Sequence, residues 1–149
     1  MRTSYTALNR ALSMRAKPAL AEIIQQRAEC SANERGDCTV IALSIGLGIP
    51  YDVAYRMLAA EGRRPNHGFH LRNWLRERAT AGTILCGYKV TSVRVPCLTL
   101  ARVMRDFPRG RFILRKHRHV FAMIDGEILD MNGAGSRTLI TDLFLLERV

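Results

Sequence analysis

One segment of the chain, GDCTVIALSIGLG at residues 36–48, is apolar or small on nearly every side. A helix of this composition has no polar face to present to water, so the rest of the protein must surround it. The chain must therefore fold around a central helix, and its 149 residues are enough for one ordinary hydrophobic core. Because Cys38 opens the apolar run, the sequence places a thiol at the mouth of a core element.

The first turn of this helix is a favourable position for a reactive thiol. We expect Asp37 to be the N-cap residue, while Gly36 allows the backbone a close approach to its neighbours. Unpaired backbone N–H groups at a helix N-terminus stabilise a thiolate and lower the pKa of a cysteine there. Free cysteines are also common as small core residues, so this segment alone fits a nucleophile and a structural thiol equally well.

The second informative segment, HVFAMIDGEILD at residues 119–130, predicts a β-hairpin. Asp125-Gly126 between two apolar runs is a strong signal for a two-residue turn. Such a turn pairs Ile124 with Glu127 and fixes the register of both strands outward from it. Because alternate side chains share a face of a strand, the register also decides which residues of the two strands meet.

Counting outward from this turn, His119 lies directly opposite Asn132 and diagonally across from Asp130. Either side chain could orient the imidazole, so the pairing puts one histidine beside two possible partners. His117 shares this face but belongs to the charged run RKHRH, whereas His119 begins an apolar run, and we therefore favour His119. A cysteine and an oriented histidine are what an acyl-transfer site needs.

The two segments resemble the papain-like cysteine peptidase superfamily, in particular its small bacterial and phage members. The resemblance rests on the GDC-type cysteine heading an apolar helix and on the histidine hairpin far downstream, and it covers residues 33–131. It implies that Cys38 is the nucleophile and that His119 is the general base and acid. Asp130 would orient the imidazole, with Asn132 as the alternative orienting residue.

Papain-like enzymes also carry a polar side chain a few residues before the cysteine, which helps to bind the oxyanion. The resemblance implies that Asn33 fills this role, although the family more often uses glutamine at that place. Gln26 is the other candidate, farther from the cysteine along the chain.

The predicted elements are helices first and an antiparallel sheet after, which indicates an α+β domain. This is also the order expected of a papain-like core with a buried cysteine helix and a small antiparallel sheet. We divide the chain into a helix-prone N-terminal arm, 1–30, and a papain-like catalytic domain, 31–149. After the cysteine helix we predict helices at 50–60, 69–79 and 98–106, a loop at 61–68, and strands within 83–95, 111–116, 120–124 and 127–131. The pattern of 139–149 fits a helix or a strand.

The charge points to an anionic partner. The net charge is +10, and all but three of the 23 basic residues are arginines, whose planar groups suit carboxylates and phosphates. They concentrate in two stretches, 63–78 and 102–118, neither of which has the interleaved aromatic residues that stack on bases. The partner could be nucleic acid or an acidic protein, and a basic surface that only keeps the protein soluble is the simpler interpretation.

The four cysteines contain no CxxC pair, and a zinc site built from them and the four histidines would match no common spacing. We therefore expect no metal and no cofactor. We also expect no disulfide framework, and hence a reducing, cytoplasmic compartment. Cys86 and Cys97 lie in apolar stretches, so we interpret them as buried structural residues. The sequence has no secretory pattern at its start and no run near the ~20 apolar residues that span a bilayer, so we expect no membrane contact.

The most concrete hypothesis is a cysteine peptidase-like hydrolase, or an acyltransferase, that acts on a peptide or protein through a Cys-His-Asp triad. The alternative is a non-catalytic module of the same fold that binds nucleic acid or an acidic protein through its arginines. A purely structural basic protein is a third interpretation. The first hypothesis requires Cys38 and His119, far apart in the sequence, to meet in the folded chain.

Overall fold

A computed structural model describes residues 16–30, 34, 36–130 and 135–149. The described residues form helices packed on antiparallel sheets, so the α+β class is confirmed. The helices are α1 (Ala16–Cys30), α2 (Cys38–Leu47), α3 (Tyr51–Ala60), α4 (Leu71–Ala81) and α5 (Leu100–Asp106). The strands are β1 (Ile84–Leu85), β2 (Tyr88–Val93), β3 (Leu98–Thr99), β4 (Arg111–Lys116), β5 (His119–Ile124), β6 (Glu127–Leu129), β7 (Leu139–Ile140) and β8 (Asp142–Arg148).

Six of these strands form one antiparallel sheet in the order β1-β2-β8-β4-β5-β6, while β3 pairs with β7 separately. The C-terminal stretch 139–149, for which the sequence pattern fits a helix or a strand, contains the central strand β8, which lies between β2 and β4. Side chains of β8 are buried on both faces of the sheet, so its sequence lacks the polar alternation that marks a strand with one wet face.

The sheet has a hydrophobic core on each face. One core joins α1 to α4 with one set of alternating strand side chains, and the other joins α5 with the opposite set. In β4, for example, Ile113 belongs to the first core and Leu114 to the second. No single helix in the described ranges is long and apolar enough to cross a bilayer.

Helix α2 is the central helix that its composition demands. Every residue from Thr39 to its end at Leu47 is buried. A Cβ added at Gly46 would lie 3.0 Å from a methyl carbon of Leu146 and 3.1 Å from Ile113, so the glycine lets α2 lie close against the sheet. The helix position, and with it the position of Cys38, is fixed by this close packing.

The C-terminal end of α2 is held by a half-buried arginine. Arg111 donates from Nε to the carbonyl of Gly46 at 2.9 Å and from Nη2 to that of Ile45 at 2.8 Å. These carbonyls have no partner within the helix, and a cation there complements the helix dipole. The N-terminal end of the same helix, which favours an anion, carries Cys38.

The hairpin that carries His119 has the predicted register. Ile124 pairs with Glu127, and Asp125 and Gly126 both have positive φ, 48° and 77°, as a two-residue type I′ turn requires. Strand β6 ends at Leu129 rather than 131. Helix α4 likewise lies two residues later than predicted, at Leu71–Ala81.

The interpretation of Cys86 and Cys97 as buried residues is wrong, because both are exposed. Each has a positive φ, 48° for Cys86 and 47° for Cys97, and each lies outside the strands that its apolar neighbours form. The apolar stretches around them reflect burial of those strands. The cysteines themselves belong to the turns between them.

Candidate active site

Cys38 is the first residue of α2 and is half-buried. Asp37 occupies the N-cap position as predicted, but its carboxylate does not cap the helix. It accepts hydrogen bonds from Nε of Arg27 at 2.7 Å and from the hydroxyl of Tyr51 at 2.8 Å instead. The backbone N–H groups of the first turn of α2 are therefore left to the thiol and to whatever lies beside it.

Three donors surround the sulfur of Cys38. Burial alone would raise the pKa of the thiol, but the hydrogen bond from the His119 side chain and those from the backbone N–H groups of Val120 and Thr39 outweigh it. The pKa of Cys38 is consequently lower than that of an ordinary thiol. The donors come from two places far apart in the sequence, the first turn of α2 and the start of β5.

The imidazole of His119 is held between Cys38 and Asp130. Its Nε2 lies 2.8 Å from Oδ2 of Asp130, which is diagonal to it across the hairpin, and the ring stacks on Phe121 with centroids 5.8 Å apart. Because Nε2 is engaged by the carboxylate, Nδ1 is the ring nitrogen left for the thiol. The bond to Asp130, followed by the bond to Cys38, raises the pKa of His119 to about 9.

The two pKa shifts have opposite directions, and both favour the same charge state of the pair. The lowered pKa of Cys38 and the pKa of His119, raised to about 9, favour a thiolate beside an imidazolium over the neutral pair. Both His119 and Asp130 are shielded from water, with side chains 15% and 6% exposed. The low local polarity strengthens the attraction between these charges.

The structure brings together Cys38, His119 and Asp130 from the set of predicted site residues. His117 is exposed in the turn between β4 and β5 and lines neither cleft beside the thiol. The side-chain oxygen of Gln26 accepts from the backbone N–H of Tyr51 at 2.8 Å, so Gln26 holds the start of α3, and it lines neither cleft beside the thiol.

Asn33 and Asn132 lie outside the described residues. Within the described part of the chain, no group of three or more histidine, cysteine or acidic side chains is arranged to hold a metal ion.

Two clefts flank the Cys38–His119 pair. We name the first the arginine cleft: it has a volume of about 460 Å³, and its basic lining residues are Arg72, Arg115 and Arg118 in addition to the histidines. We name the second the aspartate cleft: it has a volume of about 400 Å³, and its charged lining residues are Asp37 and Asp130 together with Arg27 and Arg118. A reactive thiol between two clefts can receive a substrate that extends on both sides of the reacting bond.

The sequence analysis missed one residue that organises this region. Asp142, at the start of β8, contacts three arginines at once: Nε of Arg72 at 2.8 Å, Nη2 of Arg76 at 3.2 Å and Nη1 of Arg115 at 3.5 Å. Asp142 is also nearly buried, with its side chain 4% exposed. No local signal marks it, because its partners lie on α4 and β4.

One arginine of the predicted basic surface is not on the surface at all. Arg63 is 5% exposed, and its guanidinium pairs with the carboxylate of Glu34 at 2.5 Å. A second, Arg78, lies over the ring of Trp74, 3.8 Å from its centroid. The prediction that 63–78 forms a free basic face is therefore wrong for these two residues, and the basic character of the stretch comes from its other arginines.

No protein-family model, curated protein or solved structure matches this chain.

Proposed function

We propose that this protein is a cysteine hydrolase or acyltransferase with a papain-like arrangement, in which Cys38 is the nucleophile, His119 the general acid and base, and Asp130 the orienting residue. The observation that carries the proposal is the continuous line of contacts from the Cys38 sulfur through the His119 ring to the Asp130 carboxylate, at the N-terminus of a buried helix. Each role follows from the chemistry of the group at its position.

The first half of the reaction breaks the substrate bond. The Cys38 thiolate attacks the carbonyl carbon of an amide or ester, and the carbonyl oxygen becomes an oxyanion. The first-turn backbone N–H groups of α2, including that of Cys38, are the donors available to this oxyanion because Asp37 does not cap them. The His119 imidazolium then gives its proton to the leaving amine or alcohol, which departs and leaves a thioester on Cys38.

The second half releases the acyl group. Neutral His119 takes a proton from water, or from an acceptor amine, as that molecule attacks the thioester carbonyl. The thiolate leaves, the imidazolium is restored, and the product is an acid or a new amide. Asp130 acts through His119: it fixes the ring orientation by holding Nε2 and stabilises the imidazolium, as the raised pKa of about 9 indicates.

The fold supports the same assignment. Cys38 heads a buried helix in the N-terminal half, and His119 starts a strand of the antiparallel sheet that follows. The resemblance to papain-like enzymes implies the same order, in which the helices precede the sheet, the cysteine lies on a helix and the histidine lies on the sheet. Aligned packing of a rigid helix against a rigid sheet is also what holds a nucleophile and its base in a fixed relation.

Turnover of an activated ester tests the proposal. p-Nitrophenyl acetate needs no recognised side chain, and we expect the wild-type protein to release more than one equivalent of p-nitrophenolate. Cys38→Ala should abolish this release and His119→Ala should lower it by at least about 100-fold. Cys97→Ala is the matched control, because Cys97 is exposed and distant in sequence from the pair. Release that stops at one equivalent, or that survives Cys38→Ala, would contradict the proposed activity.

Selective alkylation tests the ion pair independently of turnover. At pH 6, iodoacetamide should label Cys38 faster than Cys86 or Cys97, with each site quantified by mass spectrometry. Since those two cysteines are exposed, selectivity would reflect the lowered pKa of Cys38 rather than protection of the others by burial. His119→Ala should remove the selectivity. Equal rates at the three cysteines would contradict the thiolate assignment.

The non-catalytic alternative rests on the half-exposed arginines around Asp142. Arg72 and Arg76 have side chains 40% and 49% exposed, so they are accessible to nucleic acid or an acidic protein. A binding module predicts that Cys38→Ala leaves the affinity for a polyanion intact, while replacing both arginines with alanine weakens it and flattens its salt dependence. Ester turnover that depends on Cys38 would favour the enzyme over this alternative.

A further inference from the structure

The two clefts beside the thiolate differ in charge, although both contain polar groups. The arginine cleft is lined by the guanidinium groups of Arg72, Arg115 and Arg118, and no carboxylate is among the described residues that line it. In the aspartate cleft, each carboxylate already has a close basic partner: Asp37 has Arg27 and Asp130 has His119. Arg118 lines both clefts, but Arg72 and Arg115 line only the arginine cleft, so a substrate extended across the pair would meet the larger excess of positive charge on that side.

Asp142 holds the arginines of this cleft in place without neutralising them. It contributes one negative charge against the three guanidinium groups that contact it. Arg72 uses only Nε in this contact, so its two terminal nitrogens have no other bond within the described residues. A nearly buried carboxylate that anchors arginines by one edge reduces the entropy that they lose when a ligand binds the other edge.

Arg118 adds a further cation at a strained position. It occupies the turn between β4 and β5 with φ of 60°, a conformation for which glycine or asparagine is usual. It is exposed, lines both the arginine cleft and the aspartate cleft next to His119, and forms no ion pair within the described part of the chain. Strain that persists in a bulky residue beside an active site is a reason to look for a function of its side chain.

A buried hydroxyl lines the same cleft without a hydrogen-bond partner among the described residues. Thr39 is 3% exposed, and its Oγ1 has no hydrogen bond to any described residue. Buried polar atoms in folded proteins almost always have a partner, so an orphaned one beside a reactive thiol is consistent with a bond to a bound molecule.

From these four observations we propose that the arginine cleft binds a carboxylate of the substrate, so that the acyl compounds processed at Cys38 are acidic peptides. The inference rests on the proposed function, since it names the substrate class of the same site. This substrate carboxylate belongs to an acidic side chain or to a chain terminus next to the reacting bond. In either case it would bind the terminal nitrogens of Arg72 and be attracted by the charge of Arg118. Planar arginine groups are suited to carboxylates through paired N–H donors.

Two alkylating reagents that differ only in charge test the cleft. Iodoacetate and iodoacetamide form the same kind of S–C bond and release iodide, but only the first carries a carboxylate. The ratio of their rates at Cys38 reports attraction of a carboxylate to the site and cancels changes in the reactivity of the thiolate. We expect Arg72→Gln and Arg118→Gln each to lower this ratio about threefold, because one nearby unit charge is removed in a solvent-exposed cleft.

Arg76→Gln is the matched control for Arg72→Gln. Both arginines lie on α4, both contact Oδ1 of Asp142 and both are half-exposed, but Arg76 does not line the cleft. The control should lower the ratio less than twofold. Equal effects of Arg72→Gln and Arg76→Gln on the rate ratio would mean that a general surface potential attracts the carboxylate. The proposal would be overturned if Arg72→Gln or Arg118→Gln left the rate ratio unchanged. Arg118→Gln removes no ion pair of the described residues, so it tests attraction of a carboxylate to Cys38 even where Arg72→Gln perturbs folding, while Arg72→Gln against Arg76→Gln assigns that attraction to the arginine cleft.

Protection by small peptides distinguishes the two sources of the carboxylate. Acetyl-glutamate amide carries only a side-chain carboxylate, acetyl-glutamine only a terminal one, and acetyl-glutamine amide neither. We expect one of the first two to slow labelling of Cys38 by iodoacetamide, and the neutral amide to have a weaker effect. Equal protection by all three would contradict carboxylate recognition. Loss of ester turnover with an intact rate ratio would contradict only the catalytic proposal, so the two failures are distinguishable.

Discussion

Two ionic clusters contribute residues to the two clefts beside Cys38, and they use arginine in opposite ways. The buried cluster consists of Arg27, Glu34, Asp37 and Arg63, and the Asp142 cluster consists of Asp142, Arg72, Arg76 and Arg115. In the first, two carboxylates face two guanidinium groups, and the side chains of Glu34 and Arg63 are each 1% exposed. In the second, a single carboxylate faces three guanidinium groups, two of which are 40% and 49% exposed.

The buried cluster holds Glu34 and Asp37, two described residues that precede α2, in place. Arg27 also donates to the backbone carbonyl of Glu34 at 2.6 Å, and the Glu34 carboxylate accepts from the backbone N–H of Asn66 at 2.8 Å. Burial opposes ionisation of Glu34, but its bonds to Arg63 and Asn66 lower its pKa all the same. These contacts tie α1 and the loop after α3 to the residues just before Cys38.

The difference teaches that burial and charge balance, not the number of arginines, decide what a basic stretch does. Arg63 and Arg72 belong to the same basic stretch of sequence. Arg63 is buried with a carboxylate of its own, that of Glu34, so its charge is neutralised inside the fold and no ligand can reach it. Arg72 shares one carboxylate with two other arginines and keeps an exposed edge, so its charge remains available to a ligand.

The largest effect is expected in the buried cluster. Arg63→Met removes the partner of a carboxylate that water cannot reach, and the free energy of unfolding should fall by about 3–5 kcal/mol. Urea denaturation measures this loss. Glu34→Gln combined with Arg63→Met should recover part of it, because no buried charge then remains. A loss below about 1 kcal/mol for Arg63→Met would mean that the cluster is less enclosed than its contacts indicate.

A smaller, pH-dependent effect is expected for His119, which lies between the clusters. Its pKa is about 9 in the folded protein, above the usual ~6.5 of an unfolded chain. The contribution of His119 to the free energy of unfolding is therefore complete below about pH 6.5 and is lost as the pH rises through 9. We expect a loss of about 2 kcal/mol over this range. Cys38→Ala removes the part of the raised pKa that the thiol supplies, so the difference between Cys38→Ala and Cys38→Ala combined with His119→Gln reports the part due to Asp130. Parallel pH profiles of the two would contradict the raised pKa.

In the Asp142 cluster, single substitutions should cost little stability. Arg72→Gln or Arg76→Gln should each lower the free energy of unfolding by less than about 1 kcal/mol, because the pairs are half-exposed and Asp142 retains two other arginines. The same urea experiment that measures Arg63→Met measures these variants. A cost similar to that of Arg63→Met would erase the distinction between the two clusters.

The smallest effect, and the only gain, is expected at Arg118. Arg118→Gly relieves a positive φ of 60°, at the expense of a more flexible unfolded chain, and should raise the free energy of unfolding by about 0.5 kcal/mol. The iodoacetate-to-iodoacetamide rate ratio should fall in the same variant. Thermal unfolding and alkylation of one sample measure both. Destabilisation by glycine would mean that the arginine side chain itself holds the turn.

The local patterns in the sequence were sufficient to predict the two segments that form the site. An all-round apolar composition predicts a buried helix, and Asp125-Gly126 fixes a register in which His119 and Asp130 are diagonal neighbours, because turn type and strand period are properties of a few adjacent residues. The same patterns could not predict that Cys86 and Cys97 are exposed, since apolar neighbours indicate a buried strand but not where that strand turns.

The sequence by itself determined the central helix, the histidine hairpin and the α+β order, because each depends on the periodicity of neighbouring side chains. Only the tertiary structure decided that β8 lies inside the sheet, that Arg63 is buried and that Asp142 gathers three arginines beside the thiol. Asp142 and Arg72 are separated by 70 positions along the chain, and their contact exists only because α4 and β8 pack in the same fold. Periodicity acts over a few residues, whereas the pairing of charges depends on which distant elements share a surface.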